Sequence, residues 1–480
     1  MNMKQVLYVI LASVLIVSCK DDDDNILAVD YNLEVEDFVW KGLNTFYYWQ
    51  SEVPDLADNR FTTNKGYANF LSEFDGKPNA LFDQLMSSKD RFSWIVDDYV
   101  DLENQLNRVG KTSGMKIGIS EISPGSEEII FYVRYVLPNT DADIKGIKRG
   151  DLFWGIDSTA LTKSNYRDLL NKNQFKVNFA TDVGGTRSGN EVTLLKATVQ
   201  ENPVHKERVI QLQGQKVGYL MYNAFLASRE TELENALQSF QNANIDHLVM
   251  DFRYNPGGSV DTAINLASMI TGQFDTTEIF AKTFHNEKLT HWNDSVSFKS
   301  HPESNPIKLR MDKIYAITSG QTASASELLI NSLKAHIDVV TIGEASVGKN
   351  VGSYTIKDWI DNDGNVNPNH TWAMQPIAFK ITDKNGNADF ANGLTPDVSQ
   401  TENVGNLGVL GDINEPLLKR TLQQIGLLPE RQPISEAHKV QNSSHGRLIN
   451  TENSLLYKSL SKEIIKKEFP PLIEGFDPEL

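Results

Sequence analysis

The sequence predicts an α/β fold for the middle of this 480-residue chain, and two strand-to-helix transitions carry the prediction. An apolar strand over 246–251 leads through a Pro-Gly-Gly turn into a helical stretch over 260–270. A second apolar strand over 313–318 leads through a serine-rich turn into a helix over 327–334. Because ligands bind outside the carboxyl ends of strands in open α/β sheets, both turns are expected to border one site.

The first turn contains paired glycines, Gly257 and Gly258, directly after a strand. Glycines at such a place let backbone N–H groups approach a ligand without a side chain in the way. That arrangement suits an oxyanion hole. An ordinary Pro-Gly turn remains the alternative interpretation.

The second turn offers a serine nucleophile and is followed by a lysine that could act as its base. Ser324 lies between strand and helix, and Lys349 follows in Val347-Gly-Lys-Asn350. Ser-Lys pairs are a known variant of the hydrolytic triad. The lysine must be neutral to accept the serine proton, which requires burial or a cationic neighbour. The alternative is that Ser324 or Ser326 is only a helix N-cap.

Together these motifs resemble those of the carboxy-terminal processing peptidases, also called tail-specific proteases. The chain reads Asp251-Phe-Arg-Tyr-Asn-Pro-Gly-Gly258, then Thr322-Ala-Ser-Ala-Ser-Glu327, then Val347-Gly-Lys-Asn350, in the family's order. The resemblance implies a crotonase/ClpP-like core with an open mixed sheet and flanking helices. It also implies a serine endopeptidase that needs no cofactor and no metal. The implied catalytic residues are Ser324 and Lys349, and the implied oxyanion-hole residues are Gly257, Gly258 and Ala325.

Two departures from the family pattern stand beside that resemblance. Some members carry an Asp eleven residues after the nucleophile, where this chain has Ala335, and the segment after the lysine reads Asn350-Val-Gly-Ser353. A Ser-His pair using His336 or His285 is a further alternative, although a lone histidine is more often structural.

The region over 107–200 resembles the PDZ domain found in the same peptidases. A glycine-opened, strand-like segment is followed by a turn and by Ile147-Lys-Arg-Gly-Asp151. A polar stretch over 171–190 departs from the pattern, so a plain β domain that acts as a spacer remains open. PDZ domains capture extended peptides by strand addition and bind their terminal carboxylate. The residues expected on that edge are Gly114, Met115, Ile117 and Ile119.

The N-terminus has the features of a bacterial lipoprotein. Lys4 precedes the apolar run over 6–17, and Cys19, the only cysteine in the chain, ends it. Lipidation at Cys19 would remove residues 1–18 and anchor the rest. The acidic run over 20–24 is similar to an export tag of surface lipoproteins, although a plain spacer is equally consistent. We expect a cell-envelope lipoprotein on the outer membrane, periplasmic or surface-facing.

Composition restricts the partners. The net charge of −17 argues against nucleic acid and anionic lipid headgroups as main partners. Polypeptides, with capture through free C-termini, are the expected substrates. Two alternatives stay open: a catalytically weak peptide-binding lipoprotein of the same fold, and a carbohydrate-handling lipoprotein, suggested by scattered tryptophans.

Helical spacing of apolar residues over 35–49 and 80–86 predicts a helical N-terminal domain, and the polar end of the chain is expected to be loosely ordered until Leu455. The predicted organisation is a signal peptide (1–18), an acidic tether (19–30), a helical domain (31–106), a PDZ-like domain (107–200), a peptidase core (201–428) and a tail (429–480).

Overall fold

The computed structural model describes residues 27, 29–299, 307–361, 363–429, 448–449 and 455–458. The predicted signal peptide, Cys19, the acidic run after it and most of the tail lie outside these residues. Within the described part of the chain, no helix is long and apolar enough to span a bilayer.

The N-terminal region is helical, as predicted, and contributes one short strand. Aromatic residues of its first helix are buried, and the Trp40 ring meets the Tyr67 ring edge-on with centroids 5.1 Å apart. The aromatic stripe is therefore core. Strand β1 pairs antiparallel with β20 of the peptidase core, which fixes this region to the core. The elements are α1 (Glu34–Phe46), α2 (Asn64–Ser72), α3 (Pro78–Gln84), β1 (Trp94–Val96) and α4 (Tyr99–Leu106).

A β domain follows. Its main sheet has the order β23-β3-β4-β5-β7-β8, with β6 beside β5, and β2 pairs separately with β9. Most of the polar stretch over 171–190 lies in the antiparallel pair β7 and β8. The elements are β2 (Val109–Thr112), β3 (Met115–Glu121), β4 (Ile129–Val136), α5 (Asp141–Ile144), β5 (Leu152–Ile156), β6 (Thr159–Ala160), α6 (Tyr166–Leu170), β7 (Gln174–Ala180), β8 (Arg187–Leu195) and β9 (Ala197–Gln200).

The core contains two six-stranded sheets, β10-β11-β12-β16-β17-β22 and β13-β24-β18-β21-β14-β15. Its elements are β10 (Val204–Leu212), β11 (Gln215–Tyr222), α7 (Glu230–Ala243), β12 (His247–Asp251), β13 (Gly257–Ser259), α8 (Val260–Thr271), β14 (Ile279–His285), β15 (Asp294–Ser297), β16 (Lys313–Thr318), α9 (Ala325–Lys334), β17 (Asp338–Gly343), β18 (Val351–Tyr354), β19 (Ile356–Lys357), β20 (Ala373–Gln375), β21 (Ile377–Asp383), β22 (Val398–Ser399) and α10 (Pro416–Ile425).

The first sheet is mixed and covered on both faces. Strands β11, β12, β16, β17 and β22 run parallel, and β10 is antiparallel to β11. Alternate residues of β12 enter different clusters, with Met250 packing on the side of α7 and Val249 on the side of α10. Burial on both faces explains why these strands read as continuous apolar runs.

The tail contributes two short strands, β23 (Leu448–Ile449) and β24 (Leu455–Lys458). β23 pairs with β3, and β24 lies between β13 and β18. The expectation that the tail is loosely ordered until Leu455 is therefore wrong at 448–449. Backbone hydrogen bonding to an exposed strand edge can order a segment whose composition is polar.

Candidate active site

Ser324 lies at the turn between β16 and α9, as the motif predicts. Its backbone has φ 65° and ψ −114°, a conformation that a residue with a side chain rarely adopts. The residue is fully buried, and its hydroxyl has no partner at ordinary hydrogen-bond geometry among the described residues. The neighbouring Ser326 hydroxyl donates to the Asn255 carbonyl oxygen at 3.2 Å. Ser324 is also the N-cap residue of α9, where its side chain and that of Glu327 form a capping box. The strained backbone, which a cap does not require, favours a reactive serine over a helix cap alone.

Lys349 is buried just before β18, with 2% of its surface exposed. Burial lowers the pKa of its amine to about 7, and the carboxylates of Asp90 and Glu327 oppose that shift. Its Nζ lies 5.1 Å from the centroid of the Phe92 ring. The lysine can therefore exist as a neutral amine near pH 7, which a general base requires.

One carboxylate holds both residues. Glu327 Oε2 accepts the N–H of Ser324 at 2.7 Å and the N–H of Lys349 at 2.8 Å. Its Oε1 accepts the N–H of Gly348 at 2.7 Å and the Ser346 hydroxyl. Burial raises the pKa of Glu327, and these donors limit the rise. Because a single oxygen accepts both N–H groups, the serine and lysine backbones are held beside each other.

The glycine turn lies against the serine turn. Asn255 accepts the Ala323 N–H on its carbonyl oxygen at 3.1 Å and the Gly257 N–H on Oδ1 at 2.9 Å. Gly258 has φ +138°, and a Cβ there would lie 2.2 Å from the Phe225 carbonyl oxygen. Only glycine fits that position. The Gly257 N–H is engaged by Asn255, and Gly258 is paired with Leu456 of β24.

A buried ionic cluster lies behind both turns. Arg253 binds Asp251, with Nη2 at 2.8 Å from Oδ2, and Glu415, with Nη1 at 2.7 Å from Oε1. Its Nη1 also lies 2.9 Å from an oxygen of Glu402. The Ser319 hydroxyl donates to the Arg253 carbonyl oxygen. The cluster therefore connects the strand that ends at residue 251 with the serine turn.

Two arginines of the β domain reach the same turns. Arg149 donates to the Tyr254 hydroxyl at 2.8 Å and to Glu402 at 2.6 Å. Arg134 donates to Gln321 Oε1 at 2.5 Å. The β domain thus contacts the residue next to Asn255 and the turn that carries Ser324.

The four residues expected to capture peptides lie together on one strand. Met115, Ile117 and Ile119 are in β3, and Gly114 directly precedes it with φ +92°. β3 pairs with β4 on one side and with β23 of the tail on the other. No described residue other than those of the tail pairs with that second edge.

The histidines of the Ser-His alternative are bonded elsewhere. His285 Nε2 lies 2.8 Å from the Tyr354 hydroxyl, and His336 Nε2 lies 3.0 Å from the Ile279 carbonyl oxygen. Neither pairs with Ser324, whose hydroxyl has no described partner. Among the described residues, no group of three or more His, Cys, Asp or Glu is arranged to hold a metal ion.

Sequence reasoning missed the contribution of the N-terminal domain. Arg91 Nη2 donates to the carbonyl oxygens of Gly348 and Ala391, each at 3.0 Å, and Phe92 lies beside Lys349. No local pattern marks residues 90–92. It also missed the role of Glu327, although the fixed place of this residue in the serine motif was an available signal.

Comparisons with known proteins identify the family. A model described as peptidase family S41 matches residues 216–400, and one described as the peptidase S41 N-terminal domain matches residues 34–94. The carboxyl-terminal-processing protease of Picosynechococcus is 26% identical over 243 residues, covering 50% of this chain and 55% of that protein. Carboxyl-terminal-processing peptidase 2 of Arabidopsis thaliana is 27% identical, covering 49% and 45%. The chain spans about half the length of these relatives.

A solved structure shares the fold. The crystal structure of a Bacteroides fragilis protein described as an S41 protease superposes with a TM-score of 0.65 at 22% identity, covering 81% of this chain and 97% of that one. The two matched models together cover about half of the sequence, one in the helical domain and one in the core that carries Ser324 and Lys349. The chain therefore belongs to peptidase family S41, a family of serine peptidases.

Proposed function

We propose that this chain is a serine endopeptidase that hydrolyses peptide bonds in extended polypeptides with a Ser324–Lys349 dyad. One observation carries the proposal: Glu327 binds the backbone N–H of both residues through the same oxygen, while burial lowers the Lys349 pKa to about 7. A surface lysine with a pKa near 10.4 would be protonated at neutral pH and could not serve as a base.

The reaction follows from these groups. Neutral Lys349 takes the Ser324 proton as Oγ bonds to the substrate carbonyl carbon, and protonated Lys349 then gives a proton to the leaving amine. Water, deprotonated by the same amine, then bonds to the acyl carbon. The bond from that carbon to Ser324 Oγ breaks, and Lys349 returns the proton to Oγ.

We assign the oxyanion to the N–H groups of Gly258 and Ala325. Ala325 is the first residue of α9, so its N–H has no acceptor inside the helix. Losing one such donor typically costs about a hundredfold or more in rate. Gly257 shapes the turn, since its own N–H is bonded to Asn255.

We further propose that the β domain is a PDZ-like peptide-capture unit that acts through the edge of β3. Three of the four residues expected there, Met115, Ile117 and Ile119, belong to that strand. The relatives' names, which refer to carboxyl-terminal processing, support recognition of free C-termini. Lipidation at Cys19, anchoring at the outer membrane and a crotonase/ClpP-like relationship of the core remain proposals that rest on the sequence alone.

Cleavage of a reduced, alkylated protein by wild type and variants tests the dyad. Ser324→Ala, Lys349→Ala and Lys349→Arg are each expected to lower kcat/KM by about 10⁴-fold, because the nucleophile or its neutral base is lost. Ser326→Ala is the matched control and is expected to lose no more than about tenfold. Circular dichroism checks that every variant folds. Activity that persists without Ser324 or Lys349 would exclude the assigned roles.

The same experiment tests the alternative, a peptide-binding lipoprotein with little catalysis. That alternative predicts that wild type and Ser324→Ala both leave the substrate uncut and bind it equally. Both dyad residues are present here and buried, which favours the enzyme.

A further inference from the structure

The chain's own C-terminal segment lies beside the proposed catalytic residues. Strand β24 inserts between β13 and β18 and runs parallel to both. Leu455 is opposite Gly257 and Leu456 is opposite Gly258, the glycines of the proposed oxyanion turn. Tyr457 is opposite Ser353, four residues after Lys349. An extended substrate that pairs with the glycine turn would need the place that β24 takes.

The same segment also lies on the proposed peptide-capture edge. In β23, Ile449 is opposite Ile119 and Leu448 is opposite Ser120, and the pairing is antiparallel. Antiparallel addition to a sheet edge is a recurring mode of peptide recognition. Two separate parts of the proposed substrate path are thus paired with one continuous piece of chain.

The spacing of the two strands agrees with a single extended ligand. Five residues, 450–454, separate Ile449 from Leu455. An extended chain of that length spans at most about 20 Å. A single polypeptide can therefore contact the β3 edge and the glycine turn at the same time, which gives a minimum length for a substrate that uses both.

We propose that β23 (448–449) and β24 (455–458) act as an intramolecular ligand of the substrate path, which a polypeptide substrate must displace before it can be cut. This inference rests on the proposed function for its catalytic consequence, but not for the occupancy itself. A tethered segment acts at an effective concentration of about millimolar. A tail whose intrinsic dissociation constant is about 0.1 mM would therefore reduce activity about tenfold.

Proline at position 456 tests the pairing without relying on side-chain contacts. It removes a backbone N–H and is not tolerated inside a sheet between two partner strands. The full-length chain is compared as wild type, Leu456→Pro and Gln441→Pro, where the last places the same substitution outside both strands.

Hydrogen exchange measured by mass spectrometry decides occupancy in a Ser324→Ala background, where no turnover occurs. Amides of 456–458 are expected to exchange at least about tenfold more slowly than in a free peptide of the same sequence. Leu456→Pro is expected to remove that protection, and Gln441→Pro is expected to keep it. Exchange at the free-peptide rate in the control chain overturns the proposal. Protection lost on about tenfold dilution also overturns it, because it would come from a second copy.

Cleavage then measures competition in the chains that retain Ser324. Leu456→Pro is expected to raise kcat/KM about tenfold over wild type and Gln441→Pro. Equal kcat/KM values for all three chains would show that the tail does not compete with substrate. If no chain cleaves any substrate, the proposed function fails, and the exchange measurement still decides whether the tail fills the path.

Discussion

Two buried sets of charges lie within one small part of this protein, and they are balanced in opposite ways. We call the residues of the proposed dyad, Ser324 and Lys349, together with Glu327 the catalytic pocket, and Arg253 with Asp251, Glu402 and Glu415 the arginine cluster. In the arginine cluster each carboxylate directly faces the guanidinium. In the catalytic pocket the carboxylate of Glu327 faces three backbone N–H groups and a hydroxyl.

The pKa values record the difference. Burial alone would raise the pKa of Glu402, but Arg149 and Arg253 lower it to about 2. Burial raises the pKa of Glu327 and lowers that of Lys349 to about 7. Pairing with two arginines therefore keeps the Glu402 carboxylate charged near neutrality. Burial brings the pKa of Lys349 into the neutral range, so the catalytic pocket can exchange a proton there.

The largest expected effect comes from breaking the arginine cluster. Arg253→Met leaves the buried carboxylates of Asp251 and Glu415 without their closest cation and is expected to lower the free energy of unfolding by about 3–5 kcal/mol. Urea denaturation measures it. Arg60→Met, which removes an exposed pair with Asp55, is the matched control and should cost less than about 1 kcal/mol. Similar losses of unfolding free energy in the two variants would show that the buried arginine cluster stabilises the fold no more than an exposed ion pair does.

The next largest effect is expected at Glu327. An amide offers one acceptor oxygen where four donors converge, so Glu327→Gln should displace the serine or the lysine backbone and lower kcat/KM about a hundredfold. Ser346→Ala removes only one of those donors and should cost clearly less. Peptidase assays at saturating and limiting substrate measure kcat and kcat/KM for both variants. Equal losses of kcat/KM would mean that Glu327 does not position the two backbones.

Removing Lys349, the cation of the catalytic pocket, should change the free energy of unfolding in the opposite direction to removing Arg253. Lys349→Met is expected to be inactive but more stable than wild type by about 1–2 kcal/mol at pH 6, because a buried charge is lost. The folded lysine loses its proton near pH 7 and the unfolded one near 10.4. The unfolded state binds more protons between these values, so wild-type stability rises with pH there.

The gain from Lys349→Met should therefore shrink between pH 7 and pH 10. Thermal unfolding at pH 6, 8 and 10 tests this trend. If Lys349→Met is less stable than wild type at pH 6, the protonated lysine does not destabilise the folded state.

The smallest expected effect is a shift in the pH dependence of peptidase activity. Activity should fall about tenfold per unit as pH drops below about 7, because Lys349 becomes protonated. The Asp90 carboxylate raises the Lys349 pKa, so Asp90→Asn should move this limb to lower pH by a few tenths of a unit. Glu73→Gln, which removes an exposed carboxylate, should leave it unchanged. A shift to higher pH in Asp90→Asn would contradict the electrostatic assignment.

The sequence predicted the elements next to the two turns well. The strand predicted over 313–318 is β16, and the helix predicted from 327 begins two residues earlier, at Ala325. These succeed because strands covered on both faces form continuous apolar runs, and because a serine-rich turn ends the strand pattern sharply. The sequence motifs also predicted that the serine and glycine turns border one site, and in the structure Asn255 and Glu327 connect the glycine turn, Ser324 and Lys349.

What the sequence did not predict depends on contacts between distant segments. Phe92 meets Lys349 across more than 250 positions, and β23 reaches β3 across more than 300. The polar stretch over 171–190 departed from the PDZ-like pattern because polar side chains cover the exposed face of β8, where burial gives no apolar signal. Strand pairing and interdomain packing have no local pattern that a single sequence would reveal.

The contacts of Phe92 and Arg91 with the lysine loop mean that the surroundings of Lys349 are not built by the peptidase core alone. Both residues of the proposed dyad lie in the core, but Phe92, which lies over the Lys349 amine, and Arg91, which donates to the Gly348 carbonyl oxygen, come from a domain earlier in the chain. A gene rearrangement that moved residues 201–428 alone into another protein would carry the reactive groups and lose these contacts. Transfer of the complete proposed site to another protein would therefore require both domains.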